Sequence, residues 1–512
     1  MFTKLSILRK QYPTVLFIFV TLLILGVGIV WAQQQKTPSL AKRWQNVEEF
    51  AEKQLPESAL KELDEIIRQT ATDNNKVEYI KAQLYKMRFT LEKDPEKAPQ
   101  LIAEFEKLTE QTNTVADKAL MQSMLAEMYT RFYQSNSWNI NKRSQVAGAT
   151  PTDLNEWTKN HFSNKIFTLL RLSVSNDKIL KATPILNYEA LLVKGDDSRN
   201  FRPTLFDFLS YRKLALLDEL KQPGEDVKLP SDSLLFESAT AFAALNIDSV
   251  STSTIEHEKL LTYQQLLAFH SGDINPQTYL NNDIDRLNFV RSITNNDNLY
   301  IKALEQLESK YADNELIVEV IFARASFYFQ QLGESKASKT KKDIAEMCQK
   351  AISTFPAYKR IGLLKNLLTQ IQEKTLSVTN QAIVKPNNSI DLKVVSANIF
   401  NLKIETYRVN ATAREYYLYK QNNNGYGKIY PNRTLINSKT VHLTRNDQYL
   451  PVDTTLNIPT NGFGLYEVVV ADADQSEKPE RAISNYTVTN LGHMLRCINS
   501  GEQQIYAIGR IS

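Results

Sequence analysis

The chain has 512 residues, 42% hydrophobic and 23% charged, enough for two to four domains of about 100–200 residues with real cores. Lys and Arg total 61 against 57 Asp and Glu, and setting aside Lys4, Arg9 and Lys10 ahead of an apolar N-terminal run leaves 58 against 57. That balance, with no basic stripe interleaved with aromatics, excludes the electrostatic footprint of a nucleic-acid binder. Two cysteines, Cys348 and Cys497, stand far apart without a CxxC or Cys/His partner, which argues against a disulfide framework.

Lys4, Arg9 and Lys10 form a basic segment before the apolar stretch Val15 to Ile29, and Val30-Trp31-Ala32 offers small residues for signal-peptidase cleavage. Residues 1–32 therefore read as a signal peptide. The competing reading is a signal anchor, with 14–31 held in the inner membrane, since a span takes about 20 apolar residues. Both place the remainder outside the cytoplasm. No lipobox cysteine follows.

Residues 33–375 show helical periodicity. Leu60, Leu63 and Ile67 share one face of a helix opened by Pro56, and Thr72-Asp73-Asn74-Asn75 breaks the chain before a second stripe of Ile80, Leu84, Met87 and Leu91. Asp94-Pro95 starts another, with Leu101, Phe105 and Leu108, and a longer helix turns Leu125, Met128, Tyr129, Phe132 and Tyr133 inward. Short-linked helix pairs of this kind predict stacked antiparallel hairpins, tetratricopeptide-like in style. Arg202-Pro203-Thr204 and Asn275-Pro276 introduce further helices, a Pro-, Gly- and Ser-containing stretch from Gln222 to Thr254 reads as a loop-rich interruption, and Phe355-Pro356 separates the last two helices. Trp44, Trp138 and Trp157 read as helix packing in preference to a binding groove.

From 376 to 489 the period changes to two. Alternation at Ile390–Val395, Ile399–Val409, Val441–Thr444, Thr454–Ile458, Leu465–Val470 and Ile483–Val488 predicts a β-sandwich of fibronectin or immunoglobulin type. Asn424-Gly425 between Tyr416–Lys420 and Tyr426–Tyr430 predicts a hairpin turn. The fold class is thus multidomain α + β, an all-α helical-hairpin domain followed by an antiparallel β-sandwich, with 490–512 as the start of a next β domain.

No chemistry is signalled. His161, His257, His270, His442 and His493 are scattered without metal-ligand spacing, and neither GxSxG nor a phosphate-cradling glycine loop occurs. Catalytic, cofactor and metal residues are expected to be none, and the chain is not expected to be an enzyme. Asp472 and Asp474 read as a solvated turn in preference to a calcium loop. The sequons at Asn432-Arg433-Thr434 and Asn485-Tyr486-Thr487 carry no weight.

Three ordered residue sets do resemble a family. Leu125, Glu127, Tyr129, Phe132, Tyr133, Asn136, Trp138, Ile140 and Arg143 form the first. Arg202-Pro203-Thr204-Leu205-Phe206-Asp207-Phe208-Leu209 forms the second. Lys385-Pro386, Asn398, Ile404-Glu405-Thr406-Tyr407-Arg408 and Gly464-Leu465-Tyr466 form the third. Together they resemble the N-terminal portion of the large bacterial alpha-2-macroglobulin family, covering nearly all of the chain after the leader.

The resemblance implies an exported protein related to endopeptidase inhibitors, placed in the periplasm or cell envelope, whose β-sandwich is macroglobulin-like. In such traps a protease cuts a bait region, the molecule closes on it, and a Cys-x-Glu-Gln thioester captures it. Cys497 and Gln503 lie six apart here, which departs from that spacing. Ile505 to Ile508 resembles the unpaired opening strand of a following module, and the chain is expected to be an N-terminal fragment without bait region or thioester. The partners implied for the full-length family are proteases; a protein partner on the helical domain is a separate expectation. The alternative is a stand-alone envelope interaction module in which a helical solenoid binds and the sandwich acts as a spacer.

Overall fold

The computed structural model describes residues 38–143, 150–193, 195, 197–220, 233–249, 253–335, 337–422, 428–444, 446–474, 479–497 and 503–509. The expected leader or anchor lies outside them. The chain is helical through Ile371 and carries its sheets after that point, an α + β arrangement. It divides into two compact units at Ala303/Leu304. Among the described residues no helix is long and apolar enough to cross a membrane.

The first unit opens with α1 (Pro38–Glu52), α2 (Pro56–Thr72), α3 (Lys76–Lys93), α4 (Ala98–Gln111) and α5 (Val115–Ile140). The breaks follow local chemistry. Pro56 occupies the first turn of α2, where a missing N–H is harmless. Asn74 takes a positive φ of 52°, and Asn75 accepts from Glu78 N at 3.4 Å to start α3. Leu63, Ile66, Ala82 and Phe89 close one core with Leu40, Trp44 and Val47, so α1 to α3 pack on a shared apolar seam. Next come α6 (Lys159–Ser175), α7 (Asp177–Ala182), α8 (Ser198–Phe201), α9 (Leu205–Leu220), α10 (Ala239–Ala243), α11 (Thr254–His270) and α12 (Gln277–Thr294). Helix α13 (Asp297–Lys310) runs across the division.

The second unit continues with α14 (Ile317–Gln330), α15 (Lys341–Thr354) and α16 (Gly362–Ile371), then turns to strands. These are β1 (Thr375–Thr379), β2 (Ile383–Val384), β3 (Ser389–Ala397), β4 (Asn401–Val409), β5 (Arg433–His442), β6 (Val452–Pro459), β7 (Gly464–Asp472) and β8 (Arg481–Val488). One sheet has the order β1-β3-β6 and the other β2-β8-β7-β4-β5. Their inward side chains meet: Ile390, Leu392 and Val394 of β3 and Ile458 of β6 share one core with Leu402, Ile404, Tyr466, Val468, Val470 and Tyr486 of the five-stranded sheet. Tyr466 and Tyr486 stack at 5.1 Å between centroids within it.

Two expectations change. Tyr416–Lys420 is not a strand but part of α17 (Ala413–Asn422). The reason is local: Thr412 N and Oγ1 donate to Glu415 Oε2 at 2.8 Å each while Glu415 N donates back to Thr412 Oγ1, a reciprocal cap that nucleates a helix. Tyr416 and Lys420, one turn apart, then reach the same buried carboxylate, Glu467. The Asn424-Gly425 turn lies outside the described residues. Second, the strand containing Ile505 is not unpaired: β9 (Leu491–Cys497) and β10 (Gln503–Gly509) pair antiparallel as a separate two-stranded sheet, Ile505 opposite Leu495.

Candidate functional site: a buried ionic seam along one helix

Helix α9 buries Leu205, Phe206, Leu209, Leu214, Leu216, Leu217 and Leu220, and with them Asp207 and Lys213, whose charges need partners inside the fold. It begins with a cap. Thr204 N donates to Asp207 Oδ2 at 3.0 Å, Thr204 Oγ1 donates to the same oxygen at 2.8 Å, and Asp207 N donates back to Thr204 Oγ1 at 3.3 Å. The second residue set of the sequence is therefore a helix start whose carboxylate has one oxygen to spare.

That oxygen meets His270. Asp207 Oδ1 lies 2.7 Å from His270 Nε2, and Asp273 Oδ2 lies 2.6 Å from His270 Nδ1. Burial works against charge on this imidazole, but the hydrogen bonds and charges of Asp207 and Asp273 outweigh it and hold its pKa above the ordinary value. Both ring nitrogens are occupied by separate carboxylates. The ring ties the end of α11 to the start of α9.

Further along, Lys213 Nζ lies 2.7 Å from Glu258 Oε2, and Arg171 Nε of α6 donates to Glu258 Oε1 at 2.7 Å. Lys213 and Glu258 are 4% and 5% exposed. Burial pushes the Lys213 ammonium below its ordinary pKa; Glu258 raises it and the like charge of Arg171 adds to the depression. Burial opposes ionisation of Glu258, yet Lys213 and Arg171 more than offset it and its pKa lies low. On other faces of α9, Arg212 Nη2 donates to Glu127 Oε2 at 2.6 Å and Arg212 Nε to Ser123 Oγ at 3.0 Å. Glu219 accepts from both Nη atoms of Arg131 at 2.5 and 2.9 Å. Tyr211 Oη lies 2.7 Å from Asp285 Oδ2, and the Arg202 guanidinium stacks 3.8 Å over the Tyr211 ring.

A cleft of about 310 Å³ opens beside Lys213, between α6, α7, α9 and α11. Its charged lining is Arg171, Lys181, Lys213, Asp177 and Glu258; Val174, Phe206 and Leu261 give it an apolar wall. Lys181 Nζ pairs with Asp177 at 2.8 Å and lies 4.9 and 5.1 Å from the ring centroids of Phe206 and Phe269.

The first residue set lies on α5 and serves packing for the most part. Tyr129 stacks on Trp157 at 5.4 Å and donates to Glu106 at 2.8 Å, Phe132 and Tyr133 pack on Phe162, and Arg143 Nη1 donates to Trp157 O at 2.8 Å. Trp44 is buried elsewhere, its Nε1 donating to Glu78 at 2.8 Å. Trp138 differs: it is 72% exposed, with Lys142 Nζ 3.0 Å from its ring centroid.

The His493 side chain lies outside what the structure describes, and the other scattered histidines stay apart. His161 caps α6, His257 meets Asp248 at 2.8 Å, and His442 contacts Asn401. Among the described residues no group of three His, Cys, Asp or Glu is placed to hold a metal ion. Asp472 is buried and pairs with Lys374 at 2.5 Å, while Asp474 accepts from Asn401 at 2.7 Å, so both serve the protein's own donors. Cys348 is buried, and burial pushes its thiol up to about 11. Sequence reasoning named Asp207 inside a motif but not its partner His270, and it missed Lys213 and Glu258. The signal for those was a lysine and a glutamate on otherwise leucine-rich helices.

No known protein family matches the chain, and no curated protein does. Among solved structures, a native alpha-2-macroglobulin fragment from Escherichia coli spanning domains NIE-MG1 is 12% identical over 27% of this chain and 70% of that one, with a TM-score of 0.20. A fragment of the same protein spanning MG0-NIE-MG1 is 15% identical over 27% of this chain and 45% of its own, also at 0.20. The CARDB domain of the PF1109 protein from Pyrococcus furiosus, in complex with di-metal ions, is 16% identical over 23% and 92%, at 0.15. Likenesses at these scores carry no argument about function.

Proposed function

We propose that this chain is an exported, non-enzymatic protein of alpha-2-macroglobulin type, related to endopeptidase inhibitors, in which tetratricopeptide-like helical hairpins precede a macroglobulin-like β-sandwich. One observation carries the reading. Ile404 and Tyr466, from the third residue set, sit in the single core shared by the three-stranded and five-stranded sheets that follow the helices directly. The first two sets support it, since Glu127 of one meets Arg212, one turn beyond the other, at 2.6 Å.

Export is tested by fractionating a bacterial host that has an outer membrane. Recovery outside the cytoplasm supports the reading, and carbonate extraction then separates a cleaved leader from an anchor at 14–31. Cytoplasmic recovery overturns it. The relationship to the inhibitors is tested by a crystal structure of the chain. Superposition of its two sheets, strand for strand, on a macroglobulin domain supports it; a different strand order removes that part of the proposal.

A second reading, an envelope protein–protein interaction module, is favoured by Trp138, since exposed tryptophans are enriched at interface hot spots. Cross-linking in the envelope that captures one protein with the native chain and loses it with Trp138→Ala supports this reading. Capture unaffected by the substitution counts against it.

A further inference from the structure

The cleft between α6, α7, α9 and α11 has an uneven charge balance. Three cations, Arg171, Lys181 and Lys213, line it against two carboxylates, Asp177 and Glu258. Both oxygens of Glu258 are already engaged, one by Arg171 Nε and one by Lys213 Nζ, each at 2.7 Å. Asp177 is engaged by Lys181. Arg171 uses only its Nε among the described residues and its side chain is 57% exposed, so its two Nη groups remain as a planar fork of donors. Two cations thus share one carboxylate, and their mutual repulsion adds to the burial that lowers the Lys213 pKa. An incoming anion would relieve that repulsion.

The remaining wall is apolar. Val174, Phe206 and Leu261 face the same space, and a volume of about 310 Å³ stands at the small end of the usual range of about 300–1,000 Å³ for ligand pockets. A bare inorganic ion would leave that wall unused.

We propose that this cleft binds the C-terminal carboxylate of a peptide whose last side chain is apolar, the carboxylate on Arg171 and Lys213 and the side chain on Val174, Phe206 and Leu261. The site goes beyond the family reading and is independent of it, because its readout is binding to the helical unit and not protease inhibition.

The test uses the full chain and a matched pair of probes, N-acetyl-leucine and N-acetyl-leucinamide, with inorganic phosphate as a third, each titrated by calorimetry. Saturable binding of N-acetyl-leucine, at least tenfold weaker for the amide, is the expected result. Lys213→Met keeps the Arg171–Glu258 pair and is expected to weaken the acid at least tenfold. Arg171→Gln, at a largely exposed position, gives a second variant with the same expectation if the first does not fold. Equal binding of acid and amide, no binding of either, undiminished binding in Arg171→Gln, or binding of phosphate in place of the acid each overturns the proposal.

Discussion

Arg212 on α9 donates to Glu127 on α5 across 2.6 Å, and Arg131 approaches the other oxygen of the same carboxylate at 3.5 Å. Glu127 is 5% exposed, so its charge is sustained by these two guanidinium groups and little else. Removing Glu127 takes the carboxylate from Arg212, which keeps Ser123 Oγ, while Arg131 keeps its two bonds to Glu219, so the cost is about 3 kcal/mol, the low end for breaking a buried pair. Glu127→Ala is therefore expected to lower the midpoint of urea unfolding of the helical unit markedly, and Glu127→Gln, which keeps an acceptor, to lower it less. A loss within about 0.5 kcal/mol for Glu127→Ala, the range of ordinary surface substitutions, would show that the contact contributes nothing.

His270 gives the fold a pH dependence of definite sign. Its folded pKa is raised over an unfolded value of about 6.5 because Asp207 and Asp273 outweigh the burial that opposes its charge. The stabilisation is then fully present below about pH 6.5 and is lost as pH rises through the folded value. The stability gap between the native chain and His270→Gln should be widest below about pH 6.5 and narrow as pH rises from there through the folded value. A gap that widens with pH would mean that the imidazole is held neutral.

Much of this architecture could be read from residue order. Leu63, Ile80, Met87, Leu101 and Phe105 are buried where the helical period placed them, and β3, β4, β6, β7 and β8 lie over the alternating stretches. These signals come from one-sided burial, which repeats along the chain. The segment before β5 misled because Tyr416, Tyr417 and Tyr419 suit a strand, whereas the Thr412/Glu415 cap and the reach of Tyr416 and Lys420 to Glu467 decide for a helix. The ionic seam was illegible for a different reason. Lys213 with Glu258, and Asp207 with His270, meet only after α9 and α11 pack, and no spacing rule registers a partner that distant.

Glu467 of β7 provides a contrasting case in the second unit. Its side chain is wholly buried and accepts from Lys420 Nζ at 2.7 Å, Tyr416 Oη at 3.2 Å, Tyr430 N at 3.2 Å and Arg433 Nη1 at 3.3 Å. Glu467→Met strands the buried Lys420 ammonium and is expected to cost about 3–5 kcal/mol, and Lys420→Met strands the carboxylate in turn. Replacing both partners, Glu467→Met with Lys420→Met, should recover much of that loss, because neither charge is then left buried alone. Denaturant unfolding of the two single variants and the double measures the coupling. Additive losses would mean that the pair acts as two separate packing residues.

Asn398 links the last helix to the first long strands within the second unit. It holds a positive φ of 59°, and its Nδ2 donates to Ile371 O at 3.2 Å and Glu373 O at 2.9 Å, satisfying carbonyls that the end of α16 leaves open. Two contributions can therefore be separated. Asn398→Gly keeps the left-handed backbone accessible but deletes both hydrogen bonds, a loss of about 1–2 kcal/mol. Asn398→Ala deletes the same bonds and keeps a Cβ in the left-handed region without the polar side chain that eases asparagine there, which adds roughly 1–2 kcal/mol relative to the glycine variant. The expected order of thermal stability is native, then Gly, then Ala. Equal losses would assign the whole effect to the side-chain bonds, and a Gly variant as stable as the native chain would assign it to the backbone alone.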